Sequence, residues 1–319
     1  MNTRINERKV VMIGTGFVGA ASCFALMQSG LFSEMVLIDA NTDKAEGEAL
    51  DIAHGMPFAK PMDIYAGTYN DINDAALIII SAGANQRPGE TRLDLVKKNI
   101  GIFSHIMPEI RNRNYQGMLL IVANPVDILT AVAVKWSGLP ENRVIGSGTV
   151  LDTARFKYEI GQHLDVDARS VHAFIIGEHG DSEIAAWSSA NVSGVPIREV
   201  SAMKGFSEEG KDARRQKIAD FVKNSAYEII NKKGATYYGI AMSVRRIAEC
   251  IMRDEKSVLP VSHMMHGEYG IEGVSLSMPA IVGRNGIEDT LPIQLDADEA
   301  AALKKSAETL KKILDENLN

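Results

Sequence analysis

The chain has 319 residues, a length that favours two domains over a single ordinary core. Its 45% hydrophobic and 24% charged residues are typical of a soluble globular protein. A formal net charge of -7 without a basic run makes nucleic acid and anionic membranes poor partners. Cys23 and Cys250 both lie in apolar segments, no disulfide framework is evident, and no apolar run is long enough to span a bilayer. A reducing cytoplasm is the expected location.

The first half of the chain alternates strand-like and helix-like segments. Short apolar runs predict strands at 10–13, 35–38, 77–80 and 118–122, and helical periods predict helices at 17–26 and 45–54. This order predicts an α/β fold, a Rossmann-type doubly wound parallel sheet with helices on both faces.

The second half has a different pattern and predicts an α+β substrate domain. Helices are predicted at 153–163, over a long region at 210–253 weakened by two glycines, and at 296–318 with Asp296 as N-cap. Strands are predicted near 171–176 and 184–188 and in the alternating segment 258–282. Glycines near residue 148 divide the chain into a nucleotide-binding domain, 1–148, and a catalytic domain, 149–319.

Gly14, Gly16 and Gly19 form a G-x-G-x-x-G pattern between the first predicted strand and helix. In this context the glycines permit a tight turn, close approach of a pyrophosphate and close packing of helix on strand. Asp39 ends the second strand, where its carboxylate can bind the adenosine ribose and repel a 2′-phosphate. The pattern therefore predicts NAD rather than NADP. The alternative is an incidental turn with Asp39 as a helix cap.

Four polar segments follow apolar strands or turns, at 82–92, 122–127, 152–155 and 177–181. Ligands bind at the carboxyl edge of such sheets, where the first two segments are expected. Asp152 and Arg155 stand three residues apart, a spacing that also occurs in ordinary surface ion pairs on helices. His179 lies between acidic residues and glycines after an apolar strand, which makes it a catalytic candidate.

In order and spacing, these motifs resemble the L-lactate and malate dehydrogenase family from Lys9 into the C-terminal helix. The resemblance implies that His179 exchanges the substrate proton while a hydride moves between NAD and C2 of a 2-hydroxy acid. It implies that Asp152 orients the imidazole, that Arg155 binds the substrate carboxylate through two parallel hydrogen bonds, and that Arg92 polarises the carbonyl.

Further site residues follow from the same resemblance. Asn124 and Thr236 are expected to complete the substrate pocket, and the loop 83–92 is expected to close over it with Gln86 and Arg92. The remaining cofactor contacts implied by the family are Val18, Lys44, Tyr69, Gly83, Ala84, Val122, Asn124 and Ser147.

Gln86 decides between substrates within the family, because malate-specific members place an arginine there for the second carboxylate. A neutral amide leaves that carboxylate without a counter-ion, a loss on the order of 3–5 kcal/mol. The chain is therefore most similar to the bacterial lactate-specific members. Malate dehydrogenase, with Arg87 reading the second carboxylate, and a dehydrogenase of a bulkier L-2-hydroxy acid remain alternatives.

Many bacterial family members bind fructose 1,6-bisphosphate through a histidine and an arginine. His172 matches the histidine, but Lys157 replaces the arginine, so activation is expected to be weak or absent. A homotetramer is favoured over a homodimer. No metal is expected, because His263 and His266 lack further ligands and an exposed hairpin is favoured there. A metal-dependent glycosidase and a non-catalytic NAD-binding protein are the rival classes.

Overall fold

A computed structural model describes residues 5–84, 89 and 91–318, with the backbone but not the side chain of Arg92. The strands are β1 Asn6–Ile13, β2 Glu34–Ile38, β3 Asp63–Ala66, β4 Ala75–Ile80, β5 Met118–Ile121, β6 Val144–Gly146, β7 Val171–His172, β8 Ile175–Ile176, β9 Ile184–Ala185, β10 Asn191–Val192, β11 Val195–Pro196, β12 Ser257–His266, β13 Glu272–Gly283 and β14 Gly286–Thr290. The helices are α1 Phe17–Ser29, α2 Thr42–Ala53, α3 Arg92–Asn112, α4 Val126–Ser137, α5 Val150–Leu164, α6 Ile197–Met203, α7 Lys211–Lys233, α8 Tyr238–Met252 and α9 Ala297–Leu318.

The main sheet has the strand order β14-β13-β12-β6-β5-β4-β1-β2-β3. Six neighbouring strands pair in parallel, in the order β6, β5, β4, β1, β2 and β3. The strands β12, β13 and β14 continue the sheet in antiparallel pairs. The parallel part reverses its direction of winding between β1 and β4, so loops at their carboxyl ends border a crevice. This doubly wound arrangement confirms the predicted fold class.

Alternate residues of the central strands enter two different cores. Ile13, Ile80 and Ile121 pack in the core that includes α3, α4 and α9, whereas Met12 and Ile79 pack in the core that includes α1, α2 and α8. Because successive side chains of a strand point to opposite faces, strands covered on both faces are apolar throughout. This is the physical origin of the unbroken apolar runs in the sequence.

The second half builds a third core, in which α5 and α7 pack on the small strands. Phe156 and Ile160 of α5 meet Ile175 of β8 and Val222 of α7 there. The strands β7, β10 and β11 form one small sheet and β8 and β9 another. The helix α5 begins four residues after the carboxyl end of β6, so its first turns lie between the parallel sheet and this third core.

The structure differs from the sequence predictions in several elements. The long helical region 210–253 is two helices, because Gly234 ends α7 with φ +85°. The helices α3 and α4 and the strand β3 were not predicted. Asp296 is the predicted N-cap, since its Oδ1 accepts the Glu299 N–H at 2.9 Å. The division at residue 148 stays a prediction, and the β6–β12 pairing carries one sheet across it.

The prediction of an exposed hairpin around His263 and His266 is wrong for His263. That side chain is buried, and its Nε2 lies 2.9 Å from Thr290 Oγ1. His266 is exposed and pairs with Glu141. Across the described ranges, no cluster of three potential metal-binding side chains occurs, and no helix is long and apolar enough to cross a membrane.

Candidate active site

The glycine turn joins β1 to α1 at the carboxyl edge of the sheet. Gly14 has φ +96°, and a Cβ there would lie 2.4 Å from Ala82 N. At Gly19 a Cβ would lie 2.0 Å from the Gly14 carbonyl oxygen, so helix and strand approach too closely for any side chain. A Cβ at Gly16 would instead meet no atom within 4 Å. Gly14 therefore serves the tight turn, Gly16 leaves room for a pyrophosphate, and Gly19 lets the helix pack closely on the strand, as the motif predicts.

The start of α1 is suited to a pyrophosphate. Gly16 is its N-cap and supplies no side-chain hydrogen bond, so first-turn N–H groups are not capped by that residue. The open space beside Gly16 lets a ligand reach these N–H groups, where the helix dipole favours negative charge. The residues of this turn thus fit the phosphates of a dinucleotide.

Asp39 follows β2 and faces the same turn. Its Oδ2 accepts hydrogen bonds from the Thr15 N–H at 2.7 Å and the Thr15 hydroxyl at 3.0 Å, and its Oδ1 accepts the Asn41 N–H at 3.0 Å. Burial would raise the pKa of Asp39, but these bonds and nearby Lys44 hold it below its ordinary value. The N-cap of α2 is Asn41, so Asp39 is not the cap of that helix. With its lowered pKa, Asp39 is an ionised hydrogen-bond acceptor beside the turn.

His179 and Asp152 form a hydrogen-bonded pair. His179 Nδ1 lies 2.5 Å from Asp152 Oδ2, and the carboxylate side chain is only 3% exposed. The histidine follows β8 on the loop to β9, and Asp152 lies in the first turn of α5. With 26% of its side chain exposed, the imidazole can still meet a substrate while Asp152 holds its Nδ1.

The imidazolium of His179 and the carboxylate of Asp152 stabilise each other's charged form. Burial would lower the pKa of His179, but the Asp152 carboxylate outweighs it and raises the pKa to about 9. Burial likewise would raise the pKa of Asp152, but His179 and Arg155 lower it below its ordinary value. The imidazole is therefore protonated at neutral pH and can donate a proton.

Arg155 lies one helical turn after Asp152. Its Nη1 donates to Asp152 Oδ1 at 2.9 Å, so the ion pair of the alternative interpretation does form. It is not a surface pair, because the arginine side chain is 14% exposed and the carboxylate 3%. Within the described residues, Nη1 is the one guanidinium nitrogen with a hydrogen-bond partner. Toward the described part of the chain its other N–H groups make no hydrogen bond, so they can bind a substrate carboxylate beside His179.

Asp127 is a buried carboxylate whose role the sequence alone did not indicate. Its Oδ2 accepts the His179 backbone N–H at 2.8 Å, and its Oδ1 accepts the Ser262 hydroxyl at 2.6 Å. Its charge is a further cause of the raised pKa of His179. In the sequence Asp127 stands two residues after Pro125, in the first turn of α4, where an acid is also typical of an ordinary helix start.

Glu183 is a second acidic residue near the His179–Asp152 pair that the sequence did not single out. Burial and the Asp152 charge raise its pKa to about 8, and its Oε1 has no hydrogen-bond partner within the described ranges. A carboxyl group in this state stays protonated at neutral pH. The site therefore carries less negative charge than its acidic sequence suggests.

Two loops meet at the carboxyl ends of β4 and β5. The N–H groups of Val122 and Ala123 both donate to the Ile80 carbonyl, at 2.9 and 3.1 Å. A Cβ at Gly83 would lie 3.3 Å from the Ala123 Cβ, so the two loops are in close contact. The predicted residues 83, 84, 122 and 124 are thus brought together. Ser147 is tied to the same edge, since its N–H donates to the Ile121 carbonyl at 2.8 Å.

Thr236 lies in the link between α7 and α8. Next to it, Tyr237 stacks on Phe17 with ring centroids 5.4 Å apart. Phe17 is the first residue of α1, so this contact brings the link beside the glycine turn and Val18. The link that carries Thr236 therefore lies beside the first residue of α1, although the two segments are far apart in sequence.

Other predicted residues lie further from this centre or outside the described residues. Tyr69 is half-buried after β3, with Glu109 and Arg113 as its charged neighbours. Gln86 and Arg87 lie outside the described residues, as does the Arg92 side chain; the Arg92 backbone begins α3. The predicted closing loop falls largely on the same undescribed positions.

The two effector positions lie on neighbouring elements. Lys157 is half-buried on α5, and burial lowers its pKa. His172 is exposed on β7, which packs against α5.

Comparison with known proteins identifies the family. Residues 8–146 match the lactate/malate dehydrogenase NAD binding domain, and residues 149–319 match the lactate/malate dehydrogenase alpha/beta C-terminal domain. The chain belongs to the lactate/malate dehydrogenase family. The predicted NAD-binding domain and the dehydrogenase class are confirmed.

Among its relatives, the L-lactate dehydrogenase of Acetivibrio thermocellus is 53% identical over 98% of both chains. The L-lactate dehydrogenase 1 of Clostridium acetobutylicum is 50% identical over 96% of this chain and 97% of that one. The ligand-bound crystal structure of the minor L-lactate dehydrogenase of Enterococcus mundtii aligns with a TM-score of 0.93. It is 47% identical and covers 97% of this chain and 98% of its own.

Proposed function

We propose that this protein is an L-lactate dehydrogenase, which interconverts pyruvate and L-lactate with NAD and reoxidises NADH during fermentation. The observation that carries the proposal is the His179–Asp152 pair, in which the carboxylate is buried, with Arg155 attached to the same carboxylate. A proton donor and a carboxylate-binding cation side by side suit a 2-keto acid, which presents a carbonyl next to a carboxylate. The curated relatives over nearly the full chain carry the same activity in their names.

In pyruvate reduction each residue has a distinct task. NADH, when bound, supplies the hydride that reduces C2. His179 donates its proton to the carbonyl oxygen as negative charge develops there, and Asp152 stabilises the imidazolium beforehand and fixes its orientation. Arg155 holds the carboxylate through parallel hydrogen bonds that fix the orientation of C2. In lactate oxidation the same imidazole, neutral, takes the hydroxyl proton.

The remaining substrate and cofactor roles rest on the family resemblance and on proximity. Arg92 polarises the carbonyl and Gln86 excludes a second carboxylate. Asn124 and Thr236 complete the pocket. The cofactor is held by the glycine turn, by Asp39, and by the backbone or side chains of Val18, Lys44, Tyr69, Gly83, Ala84, Val122, Asn124 and Ser147.

We propose a homotetramer. Large apolar side chains are exposed on the face made by α1 and α8, where Phe17, Phe24, Tyr238 and Met242 are each more than half exposed. Exposed apolar area of this kind marks a protein–protein contact, and a second copy of the chain suits it. Met203 at the end of α6 is 82% exposed and offers a second contact region. Light scattering should give four times the 34.7 kDa chain mass.

Fructose 1,6-bisphosphate is expected to activate weakly or not at all. Lys157 offers a phosphate one point charge where an arginine would offer a planar fork. Strong activation at micromolar effector would contradict this view. We assign the protein to the cytoplasm, with Cys23 and Cys250 buried as free thiols.

The test of the activity is NADH oxidation with pyruvate by the purified protein, with chiral analysis of the product. L-lactate is expected. NADH binding without turnover would favour a non-catalytic NAD-binding protein. Turnover of a bulkier 2-keto acid but not pyruvate would favour the alternative substrate class.

A further inference from the structure

Asn99 is a fully buried amide on α3 that joins the two loops at the carboxyl ends of β4 and β5. Its Oδ1 accepts the Ala84 N–H at 2.7 Å. Its Nδ2 donates to the Asn124 carbonyl at 2.6 Å and to the Ala84 carbonyl at 3.2 Å. All three bonds go to backbone groups, and they span 15 and 25 residues of sequence.

The bonds use the specific chemistry of an amide. An amide offers one acceptor and two donors at one side-chain end, which matches one N–H and two carbonyl groups. A carboxylate of the same shape has no donor and would face the Ala84 and Asn124 carbonyl oxygens with a negative charge. A shorter apolar side chain would leave three backbone groups without partners in a buried place.

Backbone hydrogen bonds hold the residues on either side of Asn124. The Ala123 N–H donates to the Ile80 carbonyl at 3.1 Å, and the Leu129 N–H donates to the Pro125 carbonyl at 3.0 Å. Within the described residues, Asn99 is the partner of the Asn124 carbonyl. The amide therefore sets the position of the backbone that carries the Asn124 side chain.

We infer that Asn99 is a positioning residue, which fixes the Asn124 backbone against Ala84 and so aims the Asn124 side chain at the substrate. This inference rests on the proposed function, in which Asn124 binds substrate. Asn99 itself touches no reacting atom. Its loss should lower pyruvate turnover more than cofactor affinity, because Ala84 and Asn124 are two of many proposed cofactor contacts, whereas Asn124 is one of few substrate contacts.

The test compares Asn99→Asp with the wild-type enzyme and with Asn112→Asp, which makes the same chemical change at an exposed position of α3. At pH 8 the value of kcat/KM for pyruvate should fall roughly tenfold or more in Asn99→Asp, because buried polar groups lose their partners. The dissociation constant for NADH, measured by fluorescence, should change less than threefold. Asn112→Asp should match the wild type in both.

The pH dependence separates positioning from a general loss of structure. Burial raises the pKa of an aspartate, and the protonated acid regains one donor beside its acceptor. The ratio of Asn99→Asp to wild-type kcat/KM should therefore rise at least threefold between pH 8 and pH 5.5. A ratio near one at both pH values would overturn the inference. A ratio that is low and equal at both pH values, together with an equal loss of NADH affinity, would also overturn the inference, because a general loss of structure gives that result.

If Asn99→Asp fails to fold, Asn99→Ala provides the same comparison of kcat/KM with NADH affinity. Equal losses in both quantities would contradict the inference, and a loss confined to pyruvate turnover would support it. An inactive wild-type enzyme with every 2-keto acid would instead count against the proposed function.

Discussion

Replacing Asp152 by asparagine should move the descending limb of the pH profile for pyruvate reduction by more than two pH units. Asp152 raises the pKa of His179 to about 9, against an ordinary value of 6.5. This difference corresponds to about 3 kcal/mol in favour of the imidazolium. Without the Asp152 charge, burial lowers the pKa of His179 and the more weakly acting Asp127 charge opposes it, so the pKa should fall by more than two units.

The expected loss follows from the same numbers. At pH 7.5 the wild-type imidazole is almost fully protonated, whereas the variant imidazole is protonated in roughly one molecule in ten or fewer. The transition state also loses the stabilising charge, so kcat/KM for pyruvate should fall roughly 10²- to 10³-fold. An asparagine NH₂ group facing Nδ1 would also oppose the imidazolium, because its Nδ1–H would then face a second donor instead of an acceptor.

The assay is NADH oxidation at saturating NADH between pH 5 and pH 10. Wild-type kcat/KM should decline as the pH rises through about 9, and that of Asp152→Asn should decline as the pH rises through a value more than two units lower. The control is Asp165→Asn, an exposed aspartate at the C-cap of the same helix, which should behave as the wild type. An unchanged descending limb in Asp152→Asn, or a loss below threefold, would refute the reasoning.

Three further substitutions test other parts of the site. Arg155→Lys should lower kcat/KM for pyruvate roughly 10²-fold, mainly through KM, because lysine cannot form two parallel bonds; unchanged KM would contradict it. Asp127→Asn keeps an acceptor for the His179 N–H but removes a charge, so the descending limb of the pH profile should move to lower pH. Gly19→Ala should weaken NADH binding at least about tenfold by fluorescence titration, because its Cβ would lie 2.0 Å from the Gly14 oxygen.

Much of the parallel sheet was predictable because its strands are buried on both faces and read as apolar runs. The helix α4 was not predicted, because all of its first eight residues are buried and no polar face marks a helical period. The pairing of β12 with β6 joins residues more than a hundred apart, and nothing local in the sequence indicates it.

The site shows the same division between local and long-range information. The glycine turn was recognisable from its spacing, because it lies within one short segment. The spacing of Asp152 and Arg155 also fits a surface ion pair, and their roles followed from the resemblance to the family. Asn99 and Asp127 were not assigned roles. Each acts on a loop that only the folded chain brings close, and a lone polar residue in a helix gives no sign of its partners.

Substrate choice is the most direct test of the central claim, that this chain reduces pyruvate and excludes a second carboxylate. The measurement is kcat/KM for pyruvate and for oxaloacetate in the wild type and in Gln86→Arg. The wild type should prefer pyruvate by at least about a hundredfold, since a buried carboxylate without a counter-ion costs on the order of 3–5 kcal/mol. Gln86→Arg should reverse that preference. A wild-type preference for oxaloacetate, or no change on introducing the arginine, would contradict the account.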